Sequence, residues 1–244
     1  MTSQGCIGFF VSVVLCALPV HAVEEALIPP SRPMTLSVPA IHLPLTQSLR
    51  PLERPAAIEQ QAIKRKQQLR AGSVCGDIRL QGKAIGTKRG HLSACTVPNA
   101  VQLKSVSGIA LTQPAVVDCT TAKAFAKWAD RSLKPTARKI GKSVSQIQII
   151  GHFSCRTRNG QPGAKLSEHG KGRALDIAGF RFSDGSKTTL IKDWRTASGR
   201  KFLRPLHRGA CGIFGTVLGP EANKYHQDHF HFDTARYRSG AYCR

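Results

Sequence analysis

The sequence predicts an α+β domain, held by disulfides, in which a small antiparallel sheet carries a polar site on one face and packs helices on the other. In residues 173–178 and 229–233, large apolar side chains alternate with small or polar ones, which is typical of half-buried strands. Residues 122–133 instead repeat apolar side chains at helical spacing. An even set of cysteines behind an apparent export signal predicts disulfide bonds.

The first 22 residues are predicted to be a secretory signal peptide. Residues 7–18 form an apolar run that is too short to span a bilayer comfortably, and residues 20–22 (Val-His-Ala) offer a small-residue cleavage site. The segment has no Lys or Arg before the apolar run, so an uncleaved membrane anchor or a lipoprotein lipidated at Cys16 are alternatives. No later segment is long and apolar enough to cross a membrane. We therefore expect an exported, periplasmic protein, tethered to the membrane if the signal is retained.

Residues 23–72 are predicted to be a proline-rich, largely disordered tether. Seven prolines between residues 29 and 55 interrupt every possible element. Residues 56–69 could still form a short polar helix. The segment either lets the following domain, residues 73–244, reach away from a membrane or is a leader without function.

Inside the domain, the strands are predicted from short apolar runs. Residues 75–95 contain several glycines and indicate a short hairpin or loop, and residues 97–111 indicate one or two strands. Residues 146–153 are isoleucine-rich and predict a buried strand. Residues 183–186 form a turn, after which residues 188–194 could be a strand or a short helix.

One helix has clear boundaries. Asp118 or Thr120 is expected to cap it, and its apolar stripe runs through residues 122–133. Pro135 is expected to end it. Trp128 lies near the stripe, which indicates core packing rather than binding.

Six cysteines follow the predicted signal peptide, and none of them forms a C-x-x-C pair, so a cysteine zinc site is not expected. Six cysteines allow about 15 connectivities, and sequence cannot choose among them. The preferred pairs are Cys75–Cys95 at the entrance of the domain and Cys211–Cys243 closing its C-terminal part, which leaves Cys119–Cys155.

The charge balance indicates a polyanionic partner. The chain has 36 Lys+Arg against 14 Asp+Glu, for a formal net charge of +22. Nucleic acid and an anionic cell-wall polymer both fit such a charge. The chain lacks the aromatic-basic interleaving that stacks bases, which disfavours nucleic acid. Four of the few carboxylates lie instead beside histidines in two motifs: Glu168, Asp176, Asp228 and Asp233.

These two motifs predict a metal site. His169, Asp176 and His231 are the nitrogen and oxygen ligands that a catalytic zinc ion uses, with a fourth position left for water. Gly170 and Gly172 would let the chain turn tightly after His169. The strand alternation places Asp176 on the face opposite Leu175 and Ile177. It likewise places His229, His231 and Asp233 on one face of their strand, with Phe230 and Phe232 on the opposite face.

The same residues carry a family resemblance. Residues 167–176 have the pattern Ser-x-His-x-x-Gly-x-Ala-x-Asp, and residues 226–231 have the pattern His-x-x-His-x-His. Together they resemble the zinc peptidases of the D-alanyl-D-alanine carboxypeptidase, murein endopeptidase and hedgehog fold group. The histidine spacing is most similar to the penicillin-insensitive murein endopeptidases. At whole-domain level, residues 75–243 resemble the bacterial extensin-like C-terminal domain proteins.

The resemblance implies roles for further residues. Arg156 follows a strand and would bind a carbonyl or carboxylate of the substrate, with a solvated loop arginine as the alternative. Asp228 is the first candidate for the general base, provided that it lies in the turn before the strand; otherwise His226 or His229 is the better candidate. Asp233 would orient a ligand histidine or is a plain strand-end acid. His152 could approach the site, whereas His207 is expected to be structural or exposed.

The sequence therefore predicts a periplasmic, Zn2+-dependent peptidase that hydrolyses amide bonds in peptidoglycan peptides, of endopeptidase or carboxypeptidase type. The alternative is a non-catalytic, zinc-containing factor that binds the cell wall or affects cell shape. A secreted nucleic-acid-binding protein is a third hypothesis that depends on charge alone.

Overall fold

The computed structural model describes residues 55–236 and 239–244. The predicted signal peptide and most of the predicted tether lie outside these residues. The described chain begins with α1 (Ala56–Ala71), which agrees with the predicted short polar helix and buries none of its residues. None of the helices in the described ranges is both long and apolar enough to cross a membrane.

A single mixed sheet of ten strands organises the described residues, so the prediction of a small antiparallel sheet is wrong in size and in strand direction. The order is β1-β2-β3-β4-β5-β6-β9-β8-β10, with β7 also paired to β6. Pairs β4–β5 and β8–β10 are parallel. The strands are β1 (Ser73–Val74), β2 (Asp77–Arg89), β3 (Thr96–Val106), β4 (Ile109–Val117), β5 (Val144–Gly151), β6 (Ala174–Phe182), β7 (Lys187–Thr189), β8 (Thr216–Leu218), β9 (Phe230–Asp233) and β10 (Tyr242–Cys243).

The two errors have physical causes. The sheet is larger because β2, expected to lie within a short hairpin or loop, is a 13-residue strand that pairs along β3. The sequence of β2 is polar and contains glycines, so it lacks the apolar pattern that predicts a strand. A strand near a sheet edge does not need an apolar face. The sheet is mixed because a helical crossover separates β4 from β5 and returns the chain in the same direction.

That crossover contains α2 (Cys119–Trp128), a π-helical turn (Ala129–Leu133) and α3 (Lys134–Lys139). The Asp118 carboxylate accepts a hydrogen bond from the Thr121 backbone N–H at 2.7 Å, so Asp118 is the cap rather than Thr120. Pro135 does not end the helical segment as predicted. It lies in the first turn of α3, directly after the π-helical turn, and the helical segment continues through it.

Two more helices, α4 (Leu190–Asp193) and α5 (Ala197–Ala210), complete the fold. The short helix is one of the two predicted alternatives for residues 188–194. α5 was not predicted, since Pro205 and many basic residues obscure its apolar stripe. That stripe buries Phe202, Leu203, Leu206 and Ala210.

The helices pack on one face of the sheet and leave the other face to the predicted site. Trp128 is fully buried and its ring lies 5.3 Å from that of Phe232, and its indole N–H donates to the Leu206 carbonyl at 3.0 Å. Trp128 is therefore a core residue, as predicted. In the ladder between β6 and β9, Leu175 lies opposite Phe232 and Asp176 lies opposite His231. The alternation expected for these two strands is confirmed for residues 174–177 and 230–233, whereas His229 lies in the turn before β9.

The six cysteines form three disulfides, and two of the predicted pairs are wrong. Cys75 lies in the tight turn between β1 and β2, against the start of α2, and so it bonds a cysteine of that helix rather than its neighbour along the chain. Tertiary proximity, not sequence proximity, decides both corrected pairs. The observed pairs are Cys75–Cys119, Cys95–Cys155 and Cys211–Cys243, of which the last agrees with the prediction.

Candidate metal centre

Three predicted ligands meet where β6 and β9 pair beside a short 3₁₀ helix (Glu168–Lys171). His169 Nε2 lies 3.1 Å from Asp176 Oδ2 and 3.2 Å from His231 Nδ1, and His231 Nδ1 lies 2.9 Å from Asp176 Oδ1. All three side chains are buried. Tetrahedral zinc with bonds of about 2.0–2.1 Å separates its ligand atoms by about 3.3 Å. The two histidine nitrogens and the Asp176 carboxylate, with one oxygen toward each histidine, therefore have nearly the spacing of a coordination shell, and this group could hold a metal ion.

Of the two glycines in the turn after His169, Gly172 is required by its backbone conformation. Gly172 has φ of +67°, and its N–H closes the 3₁₀ turn onto the His169 carbonyl at 3.0 Å. A Cβ on Gly172 would also come within 2.6 Å of the Val97 side chain. Gly170 serves close packing instead, because a Cβ there would lie 3.1 Å from the Cys95 sulfur.

Gly151 also shapes the site, and sequence reasoning missed it. It is the last residue of β5 and lies opposite Asp176 in the ladder. A Cβ on Gly151 would overlap the Asp176 carboxylate. The available signal was a glycine at the end of an isoleucine-rich strand, which indicates close approach by another group.

Each ligand histidine has a hydrogen-bond acceptor at its other ring nitrogen. His169 Nδ1–H donates to the His152 carbonyl at 2.8 Å, and His231 Nε2–H donates to Asp233 Oδ2 at 3.1 Å. The Ala235 backbone N–H donates to the second Asp233 oxygen at 2.9 Å. Such partners fix the tautomer that leaves a lone pair for a metal. Asp233 thus lies where the orienting role places it, and His152 approaches the site through its backbone.

The metal-free cluster is strongly polarised. Burial raises the pKa of Asp176, but hydrogen bonds from His169 and His231 outweigh burial and hold that pKa far below its ordinary value. Burial lowers the pKa of His231, but Asp176 and Asp233 outweigh it and raise that pKa to about 9. In His226 the balance is reversed, because burial and then the neighbouring histidines lower the pKa to about 4.

The turn before β9 holds a second group of histidines. Asp228 lies in this turn, as the base hypothesis requires, but its half-exposed carboxylate does not line the cavity over the candidate metal ligands. It accepts instead from His229 Nδ1–H at 2.7 Å. His229 Nε2 then lies 3.8 Å from Asp176 Oδ1. His226 Nδ1–H donates to Asn223 Oδ1 at 2.7 Å, a partner that sequence reasoning missed.

The cavity above these groups has a volume of about 530 Å³. Arg156 lines it, together with Arg158, which sequence reasoning did not single out. The Arg156 carbonyl accepts from the Ser167 N–H at 3.0 Å, which ties the arginine loop to the segment that carries His169. Glu168 also lines the cavity and bonds Lys171 at 2.7 Å. His207 lies elsewhere, between Trp194 and Phe230, and so is structural.

Comparison with known proteins gives one match. The family model described as "Extensin-like protein C-terminus" matches residues 77–244. No curated protein and no solved structure matches the chain. Because the family model covers more than half of the chain, the protein belongs to the extensin-like C-terminal family.

Proposed function

We propose that this extensin-like chain is a zinc-dependent peptidase that hydrolyses amide bonds in peptidoglycan peptides. One observation carries the proposal. Three buried side chains, His169, Asp176 and His231, lie beside an open cavity with nearly the spacing of a coordination shell, and His229 Nε2 lies 3.8 Å from the Asp176 carboxylate. The motif resemblance to zinc peptidases of the murein endopeptidase and hedgehog fold group supports the same reaction.

Zinc is the metal that best fits the donor set. Two imidazoles and one carboxylate from the protein, with room for a water ligand, are typical of catalytic zinc sites. A bound zinc ion supplies a water of lowered pKa and polarises the scissile carbonyl. His169, Asp176 and His231 would hold the ion, and the acceptors at His152 and Asp233 would keep both rings in place.

His229 is the general base that the geometry favours. His229 lines the cavity and its Nε2 lies 3.8 Å from Asp176 Oδ1, so it could take a proton from the attacking water and return it to the leaving amine. Asp228 holds Nδ1–H and would stabilise the imidazolium that forms. Asp228 is then a positioning residue rather than the base itself. His226 also lines the cavity, where its Nδ1–H donates to Asn223 Oδ1.

The arginines favour an anionic peptide substrate. Arg156 and Arg158 lie on the cavity wall, and their guanidinium groups suit a carboxylate or peptide carbonyl. The formal net charge of +22 would also attract the protein to an anionic wall polymer. Three disulfides fit an exported, periplasmic protein.

The test is a digestion of isolated peptidoglycan by the purified, disulfide-intact protein and by a His169→Ala variant, with the metal content of both measured. About one zinc ion per chain and released peptides that vanish in the variant would support the peptidase. Mass spectrometry of the products would identify the bond. Stoichiometric zinc without products would refute the peptidase and favour the non-catalytic wall-binding factor.

A further inference from the structure

We propose that a second pocket, on the same face of the sheet as the candidate metal centre, binds an anionic group of an extended wall polymer. The pocket lies where β5, β6 and β7 pair, and it has a volume of about 190 Å³. Among the described residues that line it, none is acidic. The lining of this β6 pocket includes Gln146, Gln148, Arg181, Lys187 and Thr189.

One row of the β6 pocket places two positive charges side by side. Arg181 of β6 lies directly opposite Lys187 of β7 in one ladder and opposite Gln146 of β5 in the other. Like charges that face each other across a ladder repel. Within the described part of the chain, neither the Arg181 guanidinium nor the Lys187 ammonium has an ion-pair or hydrogen-bond partner. A bound anion would relieve this repulsion and accept hydrogen bonds from both groups.

The next row supplies space and further donors. Gly179 of β6 lies between Gln148 of β5 and Thr189 of β7. A Cβ on Gly179 would lie 2.7 Å from the Thr188 carbonyl oxygen and 3.1 Å from Gln148 Oε1, so a side chain there would fill the space between the two neighbours. Thr189 Oγ1 is buried and has no hydrogen-bond partner within the described residues. This hydroxyl and the Gln148 amide can each donate to an oxyanion.

Strand β6 carries both this pocket and a candidate metal ligand on one face. Asp176 and Arg181 alternate with the core residues Ile177 and Phe180, so both side chains lie on the face away from the core. They are five positions apart on the strand, which corresponds to about 17 Å. Ile150 of β5, which lies between these two regions, is 45 % exposed, so this part of the face is open. A ligand that reaches both regions is therefore extended, as a polymer is.

The chemistry of the β6 pocket fits a carboxylate or a phosphate group. A guanidinium group binds two oxygens of either anion through parallel hydrogen bonds, and an ammonium group adds a point charge. The cavity over the candidate metal ligands differs, since Glu168, Asp176 and Asp233 line it. A wall polymer as the source of the anion rests on the proposed function, whereas anion binding itself does not. The pocket would hold the polymer rather than take part in hydrolysis.

A solution NMR titration of the whole purified protein tests anion binding without any substrate. Acetate and inorganic phosphate are added separately, in exchange for chloride at constant ionic strength. We expect saturable shifts of the amide signals around the β6 pocket. The double variant Arg181→Gln/Lys187→Gln should weaken this binding about tenfold or more, because it loses both charged donors. Arg200→Gln/Lys201→Gln, which removes an exposed Arg and an exposed Lys of α5, is the matched control and should bind like the wild type.

Gln146→Glu is a second variant that keeps the proposal falsifiable if the double variant does not fold. It places a carboxylate directly opposite Arg181. The protein should then melt at a higher temperature, because the internal charge relieves the repulsion between the two cations, and it should lose the anion-dependent shifts. Gln67→Glu on the exposed helix α1 changes the net charge equally and is the control. Anion binding by Gln146→Glu as tight as in this control would overturn the site.

Co-sedimentation with isolated peptidoglycan tests the polymer. The double variant should bind it about tenfold more weakly than the α5 control, in line with its loss of anion affinity. Acetate binding tighter than phosphate binding would identify a carboxylate group of the polymer, and the reverse order would identify a phosphate group.

Two results would overturn the proposal. The first is the absence of saturable shifts at the β6 pocket with both anions. The second is equal sedimentation of the double variant and the α5 control, which would exclude the polymer as the source of the anion. Absence of peptidase activity would refute the proposed function and leave the anion-binding results intact.

Discussion

Asp176 and His231 lie directly opposite each other on neighbouring antiparallel strands, with Asp176 Oδ1 2.9 Å from His231 Nδ1. The sheet therefore fixes two of the three candidate ligands by its register. The third, His169, arrives from a short 3₁₀ turn that ends in Gly172. A site built on paired strands changes little when distant loops move, so its properties can be tested by substitutions around it.

Gly151→Ala should weaken metal binding, since the added methyl group would displace the Asp176 carboxylate. Overpacking of this kind should also lower the free energy of unfolding by about 1–3 kcal/mol. Chelator competition and denaturant unfolding measure the two effects. Ile150→Ala, at the exposed neighbouring position, is the control and should leave metal affinity unchanged. Equal metal affinity in Gly151→Ala and wild type would show that the Asp176 carboxylate does not depend on the absence of a side chain at Gly151.

Asp233→Ala should lower metal affinity roughly 10–100-fold, because it removes the acceptor that holds His231 Nε2–H. Asp233→Asn keeps an acceptor oxygen but removes the charge, so it should lose less metal affinity than Asp233→Ala. Competition with a chromogenic chelator measures both. Asp184→Asn, in an exposed turn, serves as the control. An Asp233→Ala protein that binds metal like the wild type would exclude the orienting role.

Metal uptake should release protons and strengthen as pH rises. Burial lowers the pKa of His231, but Asp176 and Asp233 raise it to about 9, so metal-free His231 is protonated at neutral pH. The ion needs a neutral Nδ1, and apparent affinity should therefore rise about tenfold per pH unit up to about pH 9. Calorimetry in buffers of different ionisation enthalpy measures the released proton. No proton release at neutral pH would contradict the raised pKa.

The raised pKa of His231 has the opposite effect on the stability of the metal-free fold, which should fall as pH rises. Because the folded pKa of His231 lies above its ordinary value of 6.5, this group stabilises the metal-free protein fully below about pH 6.5. The contribution is lost as pH rises through about 9. Added metal should remove this dependence, because the bound ion replaces the proton.

His229→Gln should reduce peptide hydrolysis about 10²–10⁴-fold if His229 is the general base. The metal content should stay unchanged, since His229 is not one of the three candidate ligands. Asp228→Asn should cause a smaller loss, because Asp228 acts through its hydrogen bond to His229. The pH profile of hydrolysis separates the two roles. A larger loss in Asp228→Asn than in His229→Gln would instead make Asp228 the base.

Removal of the Cys95–Cys155 disulfide by paired serine substitutions should affect stability and the site together. The bridge closes a loop of 60 residues, and its loss should cost about 4 kcal/mol of unfolding free energy. Metal affinity should also fall, since Cys95 packs against Gly170 beside His169. The Cys211–Cys243 pair, which closes 32 residues, is the control. The variant without the Cys211–Cys243 bridge should lose a similar free energy of unfolding but keep its metal affinity.

The sequence by itself determined the ligand strands, because side-chain alternation has a period of two and survives without tertiary information. It placed Asp176 and His231 on one face and Phe232 in the core, and Gly172 in the turn. The helix through Trp128 also followed from local spacing, and Asp118 was one of its two predicted caps. These features depend on neighbours a few residues away, which is the range over which sequence patterns carry information.

Tertiary structure alone decided the relationships between distant segments. The polar strand β2 exists because β3 pairs with it, and two disulfide partners were chosen by which loops meet in space. Asp228 turned toward His229 rather than the metal ligands, and Asn223 became the partner of His226. Gly151 matters only because Asp176 lies across the ladder. Contacts between residues far apart in the chain depend on register and crossover geometry, which local residue patterns do not encode.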